Sequence, residues 1–494
     1  MNGPVKPSAS AFSANALPAI DILRAADLFG DAPLIIDDAG VCSYRAAAAY
    51  AQRCQPFCRD WRLVHGDAPV ALVAAPTRRV LLAVLALWAG RIPVVLLPPT
   101  APELERQRLW RQSGAPQCLD VDALSSLAAK PVVAPGEAAS PEPADTAVIL
   151  FTSGSSHRPK GVRLSHRAFV ASARAHAANL GWRPRDRWVL QLPICHVGGL
   201  SVLTRSVLFG ATVLLPPTFD ATTVLSFSAR YGGTLLSAVP TQLQRLLDCD
   251  QGNELARFRF VLLGGAAPTV DLLSACLARG VVALCTYGLT ETCSQVTCEH
   301  PRDLAAAHRG SGRPLPGIAV DILRGDGTPA APDEMGRIAV RGAVLTDGYL
   351  GAPRHAPDAA WMTGDLGRMD ARGVLHVAGR SDAVIISGGE NIHPAEVEWA
   401  CAQAPGVLGC IAFGVPDAEF GQVVCAALRV SDGGEGDFDE RALAAFLRRQ
   451  LAPHKVPRRV AVWGEPFPLL SNGKEDRRRV VQESAPVLRP LNRS

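Results

Sequence analysis

What this chain lacks narrows it first. It has 13 cysteines but no Cys-x-x-Cys pair, and they lie scattered from Cys42 to Cys425. Neither a zinc site nor a disulfide framework is favoured, and reduced thiols in a cytoplasmic protein are the expectation. A large charge of one sign is also missing: 50 basic residues stand against 46 acidic ones, for a net charge of +4. That balance argues against nucleic acid or an anionic membrane as the partner. The stretch Met1–Ile20 has no continuous apolar core such as a signal peptide carries. The most apolar region, Val80 to Leu97, is interrupted by Gly90-Arg91 and Pro93. It reads as a buried helix followed by a buried strand, not a membrane span. No internal repeat of fixed short period stands out. A cytoplasmic, soluble protein is expected.

What is present is the composition of a globular chain, with 48% hydrophobic and 19% charged residues. At 494 residues it exceeds one ordinary core, so two or more domains are expected. From Leu17 to Leu350 helix-length patterns alternate with short branched runs. Among these are "PVALVAA" (Pro69–Ala75), "PVVLLPP" (Pro93–Pro99), "ATVLLPP" (Ala211–Pro217) and "FVLLGG" (Phe260–Gly265). Continuous apolar strands between helices predict an α/β fold whose layered, mostly parallel sheets are covered on both faces. Towards the C-terminus "GRIAVRG" and "GVLHVAGR" alternate as antiparallel strands do, and "SDAVIISGGENIHPAEVEWACAQ" turns into an amphipathic helix. A small α+β module follows, with "VVCAALRV" as strand and "ERALAAFLRRQL" as helix. The expected division is a large N-terminal body over 1–381 and a small C-terminal cap over 382–494.

After the apolar run "TAVILF" comes "TSGSSHRPKG", Thr152 to Gly161. A Walker A loop needs Gly-x4-Gly-Lys-Ser/Thr, and here Gly154 is followed by Pro159-Lys160-Gly161, so that reading fails. The hydroxyls of Thr152, Ser153, Ser155 and Ser156 still suit phosphate oxygens, with Lys160 as a mobile positive charge. On these residues alone, a phosphate loop and a polar surface turn stand level.

The string resembles the phosphate loop of the adenylate-forming superfamily, which comprises acyl-CoA synthetases, luciferases and adenylation domains. Further matches follow in that family's order. They are "LPICHVGG" (Leu192–Gly199), "LLGGAAP" (Leu262–Pro268), "YGLTET" (Tyr287–Thr292), "WMTGDLGRMDARGVLHVAGRSD" (Trp361–Asp382), "SGGENIHPAEVE" (Ser387–Glu398) and "LLSNGKEDRR" (Leu469–Arg478). The resemblance runs from about Leu17 to Val480. Where the family's loop has Thr-Gly, this chain has Ser156-His157, which points to a working but altered loop.

The resemblance implies an AMP-forming acid–CoA ligase using ATP, Mg2+ and coenzyme A. Thr152, Ser153, Gly154, Ser155, Lys160 and Gly161 would hold phosphates. Gly265, Ala266, Ala267, Tyr287 and Gly288 would line the adenine site, and Thr290 would bond the α-phosphate. Glu291 would hold magnesium, a hard cation suited to oxygen ligands. Asp365 would accept the ribose hydroxyls with Arg380 beside it. Lys474 falls where the family places its adenylation lysine, and Asp382 where it places the hinge between two working states. Gly388 and Gly389 match the face used for CoA, although a plain helix-leading turn explains them equally. His196, Gly199, Ser201, Arg205 and Gly264 would border the acyl pocket.

Within the superfamily, "LPICHVGGLSVLTRSVLFGATVLL", "VPTQLQRLL" and "VLLGGAAP" look most like the 2-succinylbenzoate–CoA ligases of menaquinone biosynthesis. Arg205 keeps the spacing from His196 found in those ligases. A second, non-reacting carboxylate needs a partner, which a bidentate arginine supplies; an interface or surface arginine explains Arg205 equally. Benzoate-type ligases share "SGGENIHPAEVE" and stay open as the alternative. So do a stand-alone adenylation enzyme serving a carrier protein in trans, and an inactive adenylate-binding homologue. The expected partners are an aromatic acid, ATP and CoA, with no nucleic acid and no membrane span; a homodimer is left open.

Overall fold

The computed structural model describes residues 19–122, 124, 146–152, 159–183, 185–304, 310–430, 438–470 and 473–491. The chain forms two compact units. The first comprises Met1–Gly265, Cys276–Val320 and Val340–Trp361; the second comprises Ala266–Ala275, Asp321–Ala339 and Met362–Ser494.

The first unit is built on two sheets. In the nine-stranded sheet, a parallel run takes Ala283–Leu289, Phe260–Leu263, Leu235–Ala238, Arg187–Val189, Thr212–Leu214 and Pro33–Asp37 in spatial order. Antiparallel strands close both ends: Ser294–Cys298 and Arg313–Pro314 at one, Gly40–Ser43 at the other. Every residue of Leu235–Ala238 and Phe260–Leu263 is buried. Strands covered on both faces have no polar side to show, which is why their sequences run apolar without alternation.

The five-stranded sheet follows the order Cys118–Leu119, Val70–Val73, Val94–Leu97, Thr146–Thr152 and Lys160–Ser165. The last two are antiparallel neighbours, with Thr152 opposite Lys160. Helix Arg78–Ala89 begins where the Thr77 hydroxyl accepts from the Val80 amide at 3.3 Å, an N-cap. It buries Val80, Leu81 and seven further residues in an unbroken run from Ala83 to Ala89. Its Trp88 Nε1 donates to the Ala147 carbonyl at 2.7 Å, fastening the helix to the strand that leads into the phosphate-loop string. The apolar stretch from Val80 to Leu97 is thus a buried helix and strand. Among the described residues no helix is long and apolar enough to cross a membrane.

The second unit centres on a six-stranded sheet whose long hairpin pairs Val407–Asp417 with Gly421–Val430. Arg459–Trp463 lies parallel to Gly421–Val430. Helices Pro394–Cys401 and Glu440–Gln450 bury Val397, Ala400, Cys401, Leu443 and Leu447 against Val424, Ala426, Leu428 and Val460. Strand Trp361–Met369 pairs antiparallel with Leu375–Arg380. "GRIAVRG" and "GVLHVAGR" each supply a strand, Gly336–Gly342 and Leu375–Arg380. The expected single passage from "SDAVIIS" into a helix is more divided. A 3-10 turn Ser381–Ala383 precedes a hairpin of Ile385–Ser387 with Glu390–Ile392, and only then comes the helix. Gly388 and Gly389 have φ of 58° and 86°. Positive φ at both central residues is the requirement of a tight two-residue hairpin, and glycine meets it without steric cost.

All 13 cysteines are free thiols, and Cys249 is the exposed one.

Candidate active site

The residues singled out in the sequence fall into two groups, one in each unit. Ser153, Gly154 and Ser155, with the neighbouring Ser156 and His157, lie outside the described residues.

In the first unit, strand Ala283–Leu289 carries Tyr287 and Gly288 into the 3-10 turn Thr290–Thr292, and the chain returns as Ser294–Cys298. The return is so close that a Cβ at Gly288 would overlap the Ser294 carbonyl. Cys293 and Ser294 take φ of 50° and 90°, strain that the surrounding pairing must hold. The Thr292 hydroxyl accepts from the Leu289 amide at 2.9 Å and donates to the Ser294 carbonyl at 3.1 Å, locking the turn. Tyr287 is buried while Thr290 and Glu291 are half-buried.

Glu291 Oε1 accepts from the Tyr349 hydroxyl at 2.7 Å, and the Glu291 carbonyl accepts from the Thr346 amide at 2.8 Å. The Lys160 ammonium stands 5.1 Å from the centre of the same Tyr349 ring. Gly161 accepts from the Leu350 amide at 2.8 Å, and a Cβ there would overlap the Leu350 side chain. Thr152 and Lys160 thus hold the two ends of the loop opposite each other, and Lys160 and Glu291 meet at Tyr349. Tyr349 was not among the predicted residues.

Among the described residues, no group of three or more His, Cys, Asp or Glu side chains could hold a metal. Magnesium bound by one carboxylate and by substrate phosphates needs no such cluster. Glu291 fits that role: its known partner is a neutral hydroxyl, and among the described residues no cation lies within ion-pair distance of it.

The acyl-pocket candidates cluster at helix Val197–Phe209. His196 is its half-buried N-cap residue. Gly199 approaches the Leu192 and Pro193 carbonyls so closely that any Cβ would overlap them. Its glycine is demanded by the backbone. Ser201 is buried, with no hydrogen-bond partner for its hydroxyl among the described residues. Gly264 packs its Cα against Thr286, where a Cβ would lie 3.0 Å from Cγ2.

Arg205 is neither a surface nor an exposed interface residue: it is 2% exposed. Its guanidinium lies 5.4 Å from the Trp188 ring centre, and Nη2 reaches Ser294 Oγ at 3.5 Å. Among the described residues Nε has no hydrogen-bond partner and no carboxylate is within ion-pair distance. Burial lowers its pKa to about 10. Nearby, His176 Nδ1 pairs with Gln295 Oε1 at 2.9 Å, and its ring packs on Trp182, Trp188 and Phe260. Burial, then the Arg205 charge, drives the His176 pKa far below the usual range. That imidazole is held neutral and adds no second positive charge beside the guanidinium. Arg245, the arginine of "VPTQLQRLL" and a weaker candidate partner for a second carboxylate, is exposed by contrast.

Gly265 is exposed with φ of 83°. Ala266 and Ala267, the next residues, are exposed and belong to the second unit.

In the second unit the string Thr363-Gly364-Asp365 acquires a physical meaning. The Thr363 hydroxyl donates to the Ile338 carbonyl at 2.8 Å and accepts from the Asp365 amide at 3.1 Å. Asp365 sits opposite Arg380 in the antiparallel pair, and Oδ1 is 3.5 Å from Arg380 Nη1. The guanidinium lies across Gly364, where a Cβ would push it aside. Arg380 Nε also reaches Asp382 Oδ1 at 3.2 Å, so one arginine joins ribose candidate and hinge candidate. Asp382 lies in the 3-10 turn Ser381–Ala383 between two strands.

Lys474 is half-buried. Its carbonyl accepts from the Leu470 amide at 2.7 Å, and the preceding Gly473 has φ of 81°. Burial lowers its pKa, and the Asp365 charge pulls in the opposite direction. Lys474 and Asp365 therefore sense each other within this unit. Gly388 and Gly389 stand apart in their hairpin turn, Gly388 against Phe420 and Gly389 with nothing near its missing Cβ.

A body built on a largely parallel sheet, with a smaller α+β unit beyond it in sequence, is the architecture expected of a nucleotide-activating protein. The chain belongs to the AMP-binding enzyme family. That family's model matches residues 22–350, and the model of the AMP-binding enzyme C-terminal domain matches residues 396–474. The chain is similar to the 2-succinylbenzoate–CoA ligase of Geobacillus kaustophilus, at 38% identity over 321 residues, which is 64% of this chain and 65% of that relative. The alignment thus spans just under two thirds of that relative's length. Over the whole chain it is similar to the o-succinylbenzoate CoA synthetase of Bacillus subtilis in complex with its acyl-adenylate intermediate. There the TM-score is 0.80 at 29% identity, covering 94% of this chain and 98% of that one. The same Bacillus subtilis protein in complex with ATP and magnesium ion matches with a TM-score of 0.80 at 29% identity, covering 93% and 98%.

Proposed function

We propose that this protein is an ATP-dependent acid–CoA ligase that activates 2-succinylbenzoate. A carboxylate oxygen of the acid attacks the α-phosphorus of ATP, the bond to pyrophosphate breaks, and an acyl-adenylate forms. A thiolate sulfur of CoA then attacks the acyl carbonyl, and AMP leaves. Lys474 neutralises the approaching anions in the first step, where two negative groups must meet. Glu291 would hold magnesium, which when bound offsets phosphate charge. Asp365 accepts the ribose hydroxyls, and Lys160 with the hydroxyls of the loop grips the phosphates. Asp382 is the hinge between a body over 1–381 and a cap over 382–494, its place at an element end suiting a residue that absorbs a dihedral change. Gly388 and Gly389 would border the pantetheine arm.

The observation that carries the choice of acid is the buried Arg205 guanidinium without a carboxylate among the described residues. A site that keeps a desolvated cation on Trp188 suits a substrate that brings a second carboxylate with it. The test is pyrophosphate release followed by thioester formation with free CoA, over a panel of aromatic acids. The reading requires succinylbenzoate to be turned over and plain benzoates to be poor substrates. Good turnover of benzoates and none of succinylbenzoate would move the protein to the benzoate ligases; adenylate without CoA thioester would point to a carrier protein as acceptor.

A further inference from the structure

The segment from Thr346 to Leu350 binds two distant parts of the first unit together. Thr346 Oγ1 donates to the Arg163 carbonyl at 2.7 Å, and Leu350 donates its amide to Gly161 at 2.8 Å. Tyr349 itself forms a β-bridge with Val162. These contacts pin the segment to the strand that carries Lys160. The Thr346 amide reaches the Glu291 carbonyl, pinning it equally to the 3-10 turn. Between these two anchors Tyr349 points its hydroxyl at the Glu291 carboxylate, 2.7 Å away, and offers its ring to the Lys160 ammonium at 5.1 Å. Trp361 packs edge-on against that ring, with centroids 5.5 Å apart, so the ring has little freedom to turn.

We infer that Tyr349 is a positioning residue that sets the Glu291 carboxylate and the Lys160 ammonium for magnesium and nucleotide phosphate, an inference that rests on the ligase reading above. A glutamate side chain has three rotatable bonds, and a lone carboxylate must meet the ion in one orientation, because magnesium tolerates little departure from octahedral geometry. A hydroxyl donating to one carboxylate oxygen selects that orientation and leaves the charge intact, where a lysine or arginine partner would cancel the attraction for the cation. The aromatic face places the Lys160 ammonium over the same residue without neutralising it. One phenol thus serves two charges of opposite sign, which no charged residue could do at that point.

The test uses a non-hydrolysable ATP analogue and calorimetry, so that no turnover is needed. For the wild-type protein the analogue binds more tightly with magnesium than in EDTA, and the ratio of the two affinities is the quantity of interest. Tyr349→Phe keeps the ring but loses the hydroxyl. Its metal-free affinity should match wild type while the magnesium-dependent ratio falls at least fivefold, the size of effect one hydrogen bond to a charged group supports. Tyr349→Leu also removes the face under Lys160, and its metal-free affinity should fall as well. Phenylalanine with an unchanged magnesium ratio overturns the inference. So does a Tyr349→Phe protein that loses affinity equally with and without metal, the mark of general damage. A wild-type protein showing no magnesium-dependent gain sinks the reading of Glu291 itself, before any variant is made.

Discussion

Arg205→Met separates function from stability at one position. Burial holds the Arg205 pKa down to about 10 from 12.5. A depression of that size corresponds to about 3 kcal/mol spent keeping the guanidinium charged in the folded protein. The cost is present at every pH below about 10 and fades as pH rises through that value, because the unfolded chain keeps the charge at no penalty. Methionine fills a similar slender volume without charge. The substitution forfeits the contact with Trp188, about 1–2 kcal/mol for a desolvated cation over an aromatic ring. The bond to Ser294 at 3.5 Å lies at the outer limit and adds little. The balance is a gain of about 1–2 kcal/mol, which a thermal or urea unfolding curve at pH 7 resolves as a rise of a few degrees in Tm. Kinetics should move the other way. Stranding the spectator carboxylate costs on the order of 2–5 kcal/mol, so the KM for succinylbenzoate should rise at least tenfold. Turnover of a benzoate lacking that carboxylate should change little. A variant that loses several kcal/mol of stability and both activities together would show that Arg205 is a structural cation, and the reasoning from its missing counter-charge would fall.

Two further outcomes follow from the geometry. If Lys474 serves adenylation as proposed, it does so as an ammonium whose pKa is lowered by burial and pulled back up by Asp365, so acyl-adenylate formation should fail as pH rises through a value below the ordinary lysine range. Asp365→Asn should move that alkaline limb lower still in a profile taken at saturating ATP, and an unmoved limb would uncouple the pair. Gly288→Ala should cost on the order of 3 kcal/mol by denaturant titration, because its Cβ collides with backbone rather than with a side chain able to move; a cost under 0.5 kcal/mol would mean that the turn relaxes freely.

The parts of this protein legible in its sequence are those whose cause is local. Phe260–Leu263 announces itself because a strand covered on both faces must be apolar at each residue. The hairpin of Ile385–Ser387 and Glu390–Ile392 stays hidden, since three residues a side are too few for a period of two to show, and the helix after it dominates the pattern. Lys474, Glu291, Asp365 and Arg380 were singled out through ordered motifs, and Tyr349 was not. Tyr349 meets Glu291 across 58 positions and Arg205 meets Ser294 across 89. Nothing in a local window encodes such a pairing. Tyr349 did leave one trace: with 5 tyrosines in the chain, each is worth asking about.

The buried thiols carry a consequence for chemical fidelity. Cys195 adjoins His196, and Cys293 and Cys298 stand at either end of the run Ser294–Thr297 that follows Glu291 in the chain. Burial pushes Cys195 and Cys298 up to about 12, and Cys293 higher still. At neutral pH a thiol of pKa near 12 is ionised about a thousandfold less than a solvent-exposed one near 8.5. Reactivity resides in the thiolate, so an activated acyl group of the kind proposed would meet protonated sulfur at these positions. On the ligase reading, the chain would be spared acylating itself, and the acyl group would be left for the thiol of the acceptor.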